Sequence, residues 1–479
     1  MENANRYYNW FERFISVITD IFFYTIPLAS LYVFTSFLSG TVRMVFFGML
    51  IIVYLLVIRF GKELIKKYLE IILAYFSGIS ERNMLIIIAV LMIIIKVIVT
   101  VLFSYDATAG ADIKIYNDIA DEIVSTGDIR TSAISHLFGI ALHFAVFKFL
   151  HIPLHIGTFI AFFIGTIVNF CSFKEIIGKE KTFFLTVAYL LMPSTAMISF
   201  CLTHELFVYF YLSLFMFFLN RMLREEKNGK ILGYTVAMIL STVMTCFVNP
   251  VGYIIYVISG LLMLFSNIKY LKKALLVVVL IMSVVGSNAI SSYLNVNEFK
   301  TTVNTYTILI HGSNIESLGE QVDGYPKQKM REYLEENDIS MKNEHFLEGY
   351  RAVLINQYIY LLKHPVDLVR LVSHKIYILW SGVHYPLELA NHYGAFSDIV
   401  MDAFLAISTI IYLFIVTVGI VFSDNKKSSI YAVNYKLVIL GIFAVTMLSV
   451  LLNKYTLYAT MFLYFISLQK ASLNYESRS

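Results

Sequence analysis

The chain is poor in charge. Asp, Glu, Lys and Arg make up 15% of its 479 residues, against about a quarter in an ordinary soluble domain. A deficit of that size excludes a conventional cytosolic enzyme, a disordered chain and a nucleic-acid binder, each of which needs many exposed charges. Cysteine is scarce as well. Cys171, Cys201 and Cys246 all sit in apolar runs, without the spacing of a disulfide framework or a metal site, and read as small buried hydrophobes. Seven prolines and 23 glycines are too few for linkers or low-complexity tracts.

What fills the sequence instead is apolar: 58% of the residues, with a mean hydropathy of +0.72. A helix crossing a hydrocarbon core of about 30 Å needs about 20 mostly apolar residues. Candidate runs fall at 16–38, 43–60, 84–104, 134–150, 155–173, 182–200, 205–220, 231–248, 250–267, 273–291, 399–423, 436–452 and 455–469. A further run, 366–381, carries Arg370, His374 and Lys375. Met1 to Arg13 is polar and aromatic, with no small-residue cleavage site after the first apolar run, so that run is expected to be retained as a span. The expected class is an all-α polytopic membrane protein.

The net charge is only +4, so the placement of basic residues carries more information than their number. They gather in five joints: Arg59, Lys62, Lys66, Lys67 and Arg82; Lys174, Lys179 and Lys181; Arg221, Arg224, Lys227 and Lys230; Lys269, Lys272 and Lys273; Lys426, Lys427 and Lys436. The positive-inside rule places all five on the cytoplasmic side. They share a side only if an even number of crossings separates each pair. Three runs lie between Arg82 and Lys174, and 134–150, with His136, His143 and Lys148, is the weakest. It is therefore laid along the outer surface as a juxtamembrane helix, and 366–381 likewise. About twelve spans remain, with both termini cytoplasmic.

The organisation expected is two extra N-terminal spans in 1–82, a core in 83–291 with its first outer loop at 105–154, an outer loop or subdomain in 292–398, and C-terminal spans in 399–479. The first outer loop is acidic near its start: Asp106, Asp112, Asp118, Asp121, Glu122 and Asp128 against Lys114 and Arg130. Asp112, Tyr116, Ile119, Ala120 and Ile123 recur at helical spacing and share one face, with Asp112 at the position of an N-cap. By that reading alone Asp112 is a cap on a surface helix, and Glu205 is a carboxylate favoured at a helix N-terminus.

Several short patterns add to this. Asp112 and Tyr116, followed by Gly127-Asp128, come directly after the span 84–104. Leu190-Leu-Met-Pro193 precedes Leu202-Thr-His204-Glu205-Leu206. His364-Pro-Val-Asp-Leu-Val-Arg370-Leu-Val-Ser-His374-Lys375 forms a basic amphipathic stretch, Asn453-Lys454-Tyr455 precedes the last run, and Gly312-Ser-Asn314 leads to Gly319. In order and sidedness these resemble the membrane glycosyltransferases of the GT-C class, in particular the protein mannosyltransferase and aminoarabinose transferase group. The resemblance runs from about 84 to 470.

That resemblance implies a GT-C-like bundle with outer juxtamembrane helices and a small extracytoplasmic subdomain. It implies a catalytic Asp112, assisted by Glu205. It also implies substrate contacts from Tyr116, His204, Arg370, Lys375, Lys454 and Tyr455, the last two standing where the family carries Arg-Tyr. The donor would be a sugar on a polyprenyl phosphate such as undecaprenyl phosphate, and the acceptor a hydroxyl of a glycan, lipid or protein. The active site would be extracytoplasmic, with the bilayer holding the donor tail and no nucleic acid involved. No cofactor is implied. Ile113 stands where a second acidic residue often follows the first, which weakens a bridging metal, though a divalent ion stays open. Rival readings are a flippase or transporter for lipid-linked sugars and a polysaccharide polymerase or ligase. The transporter reading draws on Lys96, a charge inside an apolar run, where charge is costly and functional by default.

Overall fold

The computed structural model describes residues 2–35, 38–102, 111–130, 133–198, 202, 204–266, 268–340, 342–380, 398–421 and 430–448. Among them every regular element is a helix: α1 (Glu2–Phe34), α2 (Gly40–Ser77), α3 (Glu81–Leu102), α4 (Ala111–Thr126), α5 (Ser135–Phe149), α6 (Leu154–Ile177), α7 (Lys179–Leu190), α8 (Pro193–Ile198) and α9 (His204–Arg224). The order continues with α10 (Asn228–Val248), α11 (Val251–Leu264), α12 (Tyr270–Tyr293), α13 (Glu298–Ser313), α14 (Tyr325–Glu336), α15 (Asn343–Lys363), α16 (Pro365–Trp380), α17 (Asp398–Val421) and α18 (Ile430–Leu448). By length and composition six of the described helices, α2, α3, α6, α9, α10 and α12, suffice to cross a bilayer.

The joints at 174–181, 221–230 and 269–273 meet at one end of the bundle, whereas Lys426 and Lys427 lie outside the described residues. Glu175 at the foot of α6 pairs with Arg221 and Arg224 at the foot of α9, and Lys174 pairs with Glu81 at the start of α3. Lys272 donates to the carbonyls of Leu223 (2.6 Å) and Glu225 (2.9 Å), placing a cation on the negative end of α9. Lys273 does the same for Leu264 at the end of α11 (2.7 Å) and also reaches the Tyr8 hydroxyl of α1 (3.3 Å). The opposite end collects the start of α4, the start of α9 and the end of α12. There the Asn297 N–H donates to the Ala133 carbonyl (3.1 Å), and Arg130 lies over the Tyr293 ring.

Helix α5 stays at that second end. Gly139 abuts the backbone of Phe247 and Val248 at the end of α10, so closely that a Cβ would collide with the Phe247 carbonyl oxygen. Farther along α5, Phe147 packs against Gly157 and Phe207, near the starts of α6 and α9. Both halves of α5 therefore touch the non-basic end.

Two expected spans differ in detail. The run 182–200 is broken into α7 and α8, because Pro193 has no N–H to donate and its ring clashes with the preceding turn. Conversely α2 does not stop near residue 60. It runs through Arg59, Lys62, Lys66 and Lys67 to Ser77, 38 residues in all, or about 57 Å at 1.5 Å per residue. The charges there decorate a continuing helix.

Polar side chains tie the core helices together where lipid-like surroundings give helices no hydrophobic reason to associate. Asn169 donates to the Tyr209 hydroxyl (3.0 Å) and to Ser213 (2.9 Å), joining α6 to α9. Asn220 donates to Ser172 (2.9 Å) and to the Tyr435 hydroxyl (3.2 Å), drawing in α18. Helices α13 to α15 have their own small core of Ile310, Met330, Leu334, Tyr350, Val353 and Leu354.

Candidate active site

Of the face read from its spacing, helix α4 buries Tyr116, Ala120 and Ile123 and half-buries Ile119, and Ile113 beside them is buried as well. It packs along α5, with Tyr116 edge-on to Phe144 and Lys148 paired to Asp121 at 2.5 Å. Asp112 is the second residue of this helix, one turn before Tyr116 and on the same face by register, so it stands inside the first turn and not at the cap. Its backbone is described; its carboxylate lies outside the described residues.

The buried face of α4 meets the start of α9. The Tyr116 hydroxyl lies 3.4 Å from His204 Nδ1, and the two rings stand nearly perpendicular. His204 Nε2 is 2.9 Å from Glu205 Oε1. Glu205 is 1% exposed, a carboxylate withdrawn from solvent in the first turn of α9, where the helix dipole favours negative charge. Three of the sequence-predicted residues, Tyr116, His204 and Glu205, thus form one line of polar contacts, with Asp112 one turn away along α4.

A second cluster is built around Lys375 of α16. Lys375 is fully buried, and its ammonium donates to the Met447 carbonyl in the last turn of α18 (2.9 Å). Burial pushes its pKa down from 10.5 to about 7. The loop after α13 closes over it. Gly319 has φ +88°, and a Cβ there would lie 2.7 Å from Lys375 Cε, so both the backbone conformation and the space require glycine. The loop is pinned by the Gly319 N–H on the Asn314 carbonyl (2.8 Å) and by the Val322 N–H on His311 Nδ1 (3.3 Å). Burial lowers the His311 pKa, with Asp323 acting the other way. Next to Lys375, His374 Nε2 reaches Glu320 at 3.3 Å.

Arg370 is not part of this cluster. Five positions along α16 turn it about 140° from Lys375, and it is exposed. Lys454 and Tyr455 lie outside the described residues. Among the described residues no group of three or more His, Cys, Asp or Glu side chains is placed to hold a metal ion. Lys96 is buried and lies 5.7 Å from the centroid of the Phe159 ring, which gives the charge a cation–π partner inside the bundle.

One feature escaped the sequence. Between α13, α14 and α15 lies a cavity of about 470 Å³, lined among others by Asn314, Tyr325, Glu332, Tyr333, Gln357 and Tyr360. The short i, i+4 spacing of Tyr325, Lys329 and Tyr333 on α14 is a trace of it, but three helices must assemble before the cavity exists.

No family model matches the chain, and no curated protein is similar to it. Among solved structures the chain is similar to the crystal structure of ArnT from Cupriavidus metallidurans bound to undecaprenyl phosphate. That likeness has 10% identity and a TM-score of 0.39, and covers 82% of this chain and 78% of the other. It assigns no role to any residue here.

Proposed function

We propose that this chain is a membrane glycosyltransferase that moves a sugar from a polyprenyl-phosphate donor to an acceptor hydroxyl, at the end of the bundle opposite the basic joints. The observation that carries the reading is the junction of α4 with α9. It draws Tyr116, His204 and Glu205 into one line of contacts and leaves Asp112 one turn along the same face.

In this reading the acceptor oxygen attacks the anomeric carbon as the carbon–oxygen bond to phosphate breaks. The acceptor proton passes to Asp112, general-base work suited to a carboxylate. Glu205, buried beside His204, would set the negative charge next to the imidazole, which lies against Tyr116 and would help to position the acceptor. The phosphate leaves with the bonding electron pair as polyprenyl phosphate. Because its oxygens are already anionic, it needs electrostatic stabilisation and no acid, and Lys375 would supply that charge. Attack opposite the departing phosphate predicts inversion.

The test is reconstitution of the full chain in bilayers with a synthetic polyprenyl-phosphate sugar and a mixture of hydroxyl acceptors. Transfer with inverted anomeric configuration, read by mass spectrometry and NMR, is expected. Retention of configuration, or turnover of the Glu205→Gln variant at the wild-type rate, would contradict the assignment.

A further inference from the structure

The cavity between α13, α14 and α15 has the build of a small-molecule site. Its volume of about 470 Å³ falls within the range of about 300–1,000 Å³ typical of ligand pockets. Its polar walls are held in place before any ligand arrives. Ser313 donates to Gln357 Oε1 (2.6 Å), and Gln357 Nε2 donates to the Tyr325 hydroxyl (3.0 Å). Glu332 accepts from Gln328 (2.8 Å) and Lys329 (2.9 Å), which uses two of its roughly four acceptor positions and leaves the others for a ligand hydroxyl.

Two properties narrow the ligand. The lining mixes aromatic rings, Tyr325, Tyr333 and Tyr360, with amide and carboxylate side chains. A pyranose presents this same mixture, an apolar C–H face and a rim of hydroxyls. The formal charge of the lining is net negative, since Glu316, Glu332 and Glu336 outnumber Lys329, so a phosphate, sulfate or uronate would be disfavoured. The donor headgroup is therefore not the occupant. Asn314 lines the cavity, and its carbonyl anchors the Gly319 loop that closes over Lys375, so one loop serves both places.

We propose that this cavity binds a neutral or amino-bearing sugar unit of a glycan acceptor, holding it at the outer subdomain while a neighbouring hydroxyl enters the reaction site. The binding site stands on its own observations; its role as an acceptor subsite rests on the transferase reading.

The test uses the full chain in lipid nanodiscs, fluorescently labelled, on an array of neutral, amino-bearing, uronic and phosphorylated oligosaccharides. Wild type should bind neutral or amino-bearing glycans and not the anionic ones. Tyr333→Ala should weaken that binding at least tenfold. Asn356→Trp, at an exposed position on the cavity wall where it leaves the core untouched, should do the same with unaltered thermal unfolding. Binding that survives Asn356→Trp, a preference for anionic glycans, or no glycan binding by wild type would overturn the proposal. Asp112→Asn separates the two readings, since it should keep glycan binding while losing transfer. Glycan binding that maps to the cavity in a chain without transferase activity would sink the transferase reading and leave the sugar site intact. Transfer to glycan unaffected by Asn356→Trp would do the reverse.

Discussion

Replacing Lys375 by methionine distinguishes a catalytic cation from a structural one. In the fold the amine is fully buried, donates to the Met447 carbonyl at 2.9 Å and has its pKa pushed down to about 7. As a structural group it caps the negative end of α18 through one hydrogen bond, worth about 1 kcal/mol where the amine is neutral. As the group that stabilises the departing phosphate in a dry site, its loss should cost about 10²- to 10³-fold in transfer rate, near 3 kcal/mol of barrier. The pH dependence adds a second signature. The free enzyme holds Lys375 protonated below about 7 and neutral above it, so kcat/KM for the donor should fall as pH rises through that value. An anionic donor stabilises the protonated amine, so the same limb in kcat should lie at higher pH. The stability effect has the opposite sense. An amine whose folded pKa lies below its unfolded one binds fewer protons when folded, so wild-type stability gains between about 7 and 10.5 as pH rises, and Lys375→Met should lose that slope. Donor-saturation kinetics and thermal unfolding of wild type and variant from pH 6 to 9 measure both. A variant within threefold of wild type at every pH, with the stability slope alone abolished, would refute the phosphate role and leave Lys375 as a helix cap.

Tyr116→Phe removes the hydroxyl 3.4 Å from His204 and should lower kcat by about two- to tenfold, the span of one ordinary hydrogen bond, with donor KM unchanged in steady-state kinetics. Gly319→Ala forces a Cβ into a left-handed conformation and against Lys375, and should cost about 1–2 kcal/mol, read as a lowered unfolding midpoint, together with weaker donor use. Asn220→Ala breaks the bonds from α9 to Ser172 and Tyr435, and should cost about 0.6–2 kcal/mol in mixed micelles while leaving kinetic constants at the reporter temperature unaltered.

The parts of the molecule that follow from local rules were readable in the sequence. The basic residues at 174–181, 221–230 and 269–273 are spaced by apolar runs, and ion pairs and carbonyl contacts, one of them with Glu81, gather them at one end. The buried face of α4 follows from the 3.6-residue period alone. Pro193 announces a break that the hydropathy of 182–200 hides, since an apolar window averages over the one residue that cannot continue a helix. The extension of α2 past Arg59 is invisible to hydropathy for the opposite reason: its lysines and glutamates mark the end of an apolar run, yet they are good helix formers and do not end the helix.

The candidate site was legible in part. Tyr116 and Glu205 lie 89 positions apart, and their shared end of the bundle follows from the parity of crossings, whereas the bridging by His204 depends on how α4 lies on α9. Arg370 and Lys375 look equivalent in a basic stretch, and only the register of α16 sends one outward and the other into the core. The cavity between α13, α14 and α15 left only the spacing of Tyr325, Lys329 and Tyr333 in the sequence, because its polar atoms come from three helices.

The most direct measurement compares polyprenyl-phosphate sugars, by mass spectrometry of lipid extracts, in cells making wild type or Asp112→Asn at equal levels of folded protein. The account predicts that one such lipid accumulates in the Asp112→Asn cells, naming the donor that the wild type consumes. Identical lipid pools would contradict it, removing either Asp112 from the chemistry or the polyprenyl-phosphate sugar from the role of donor.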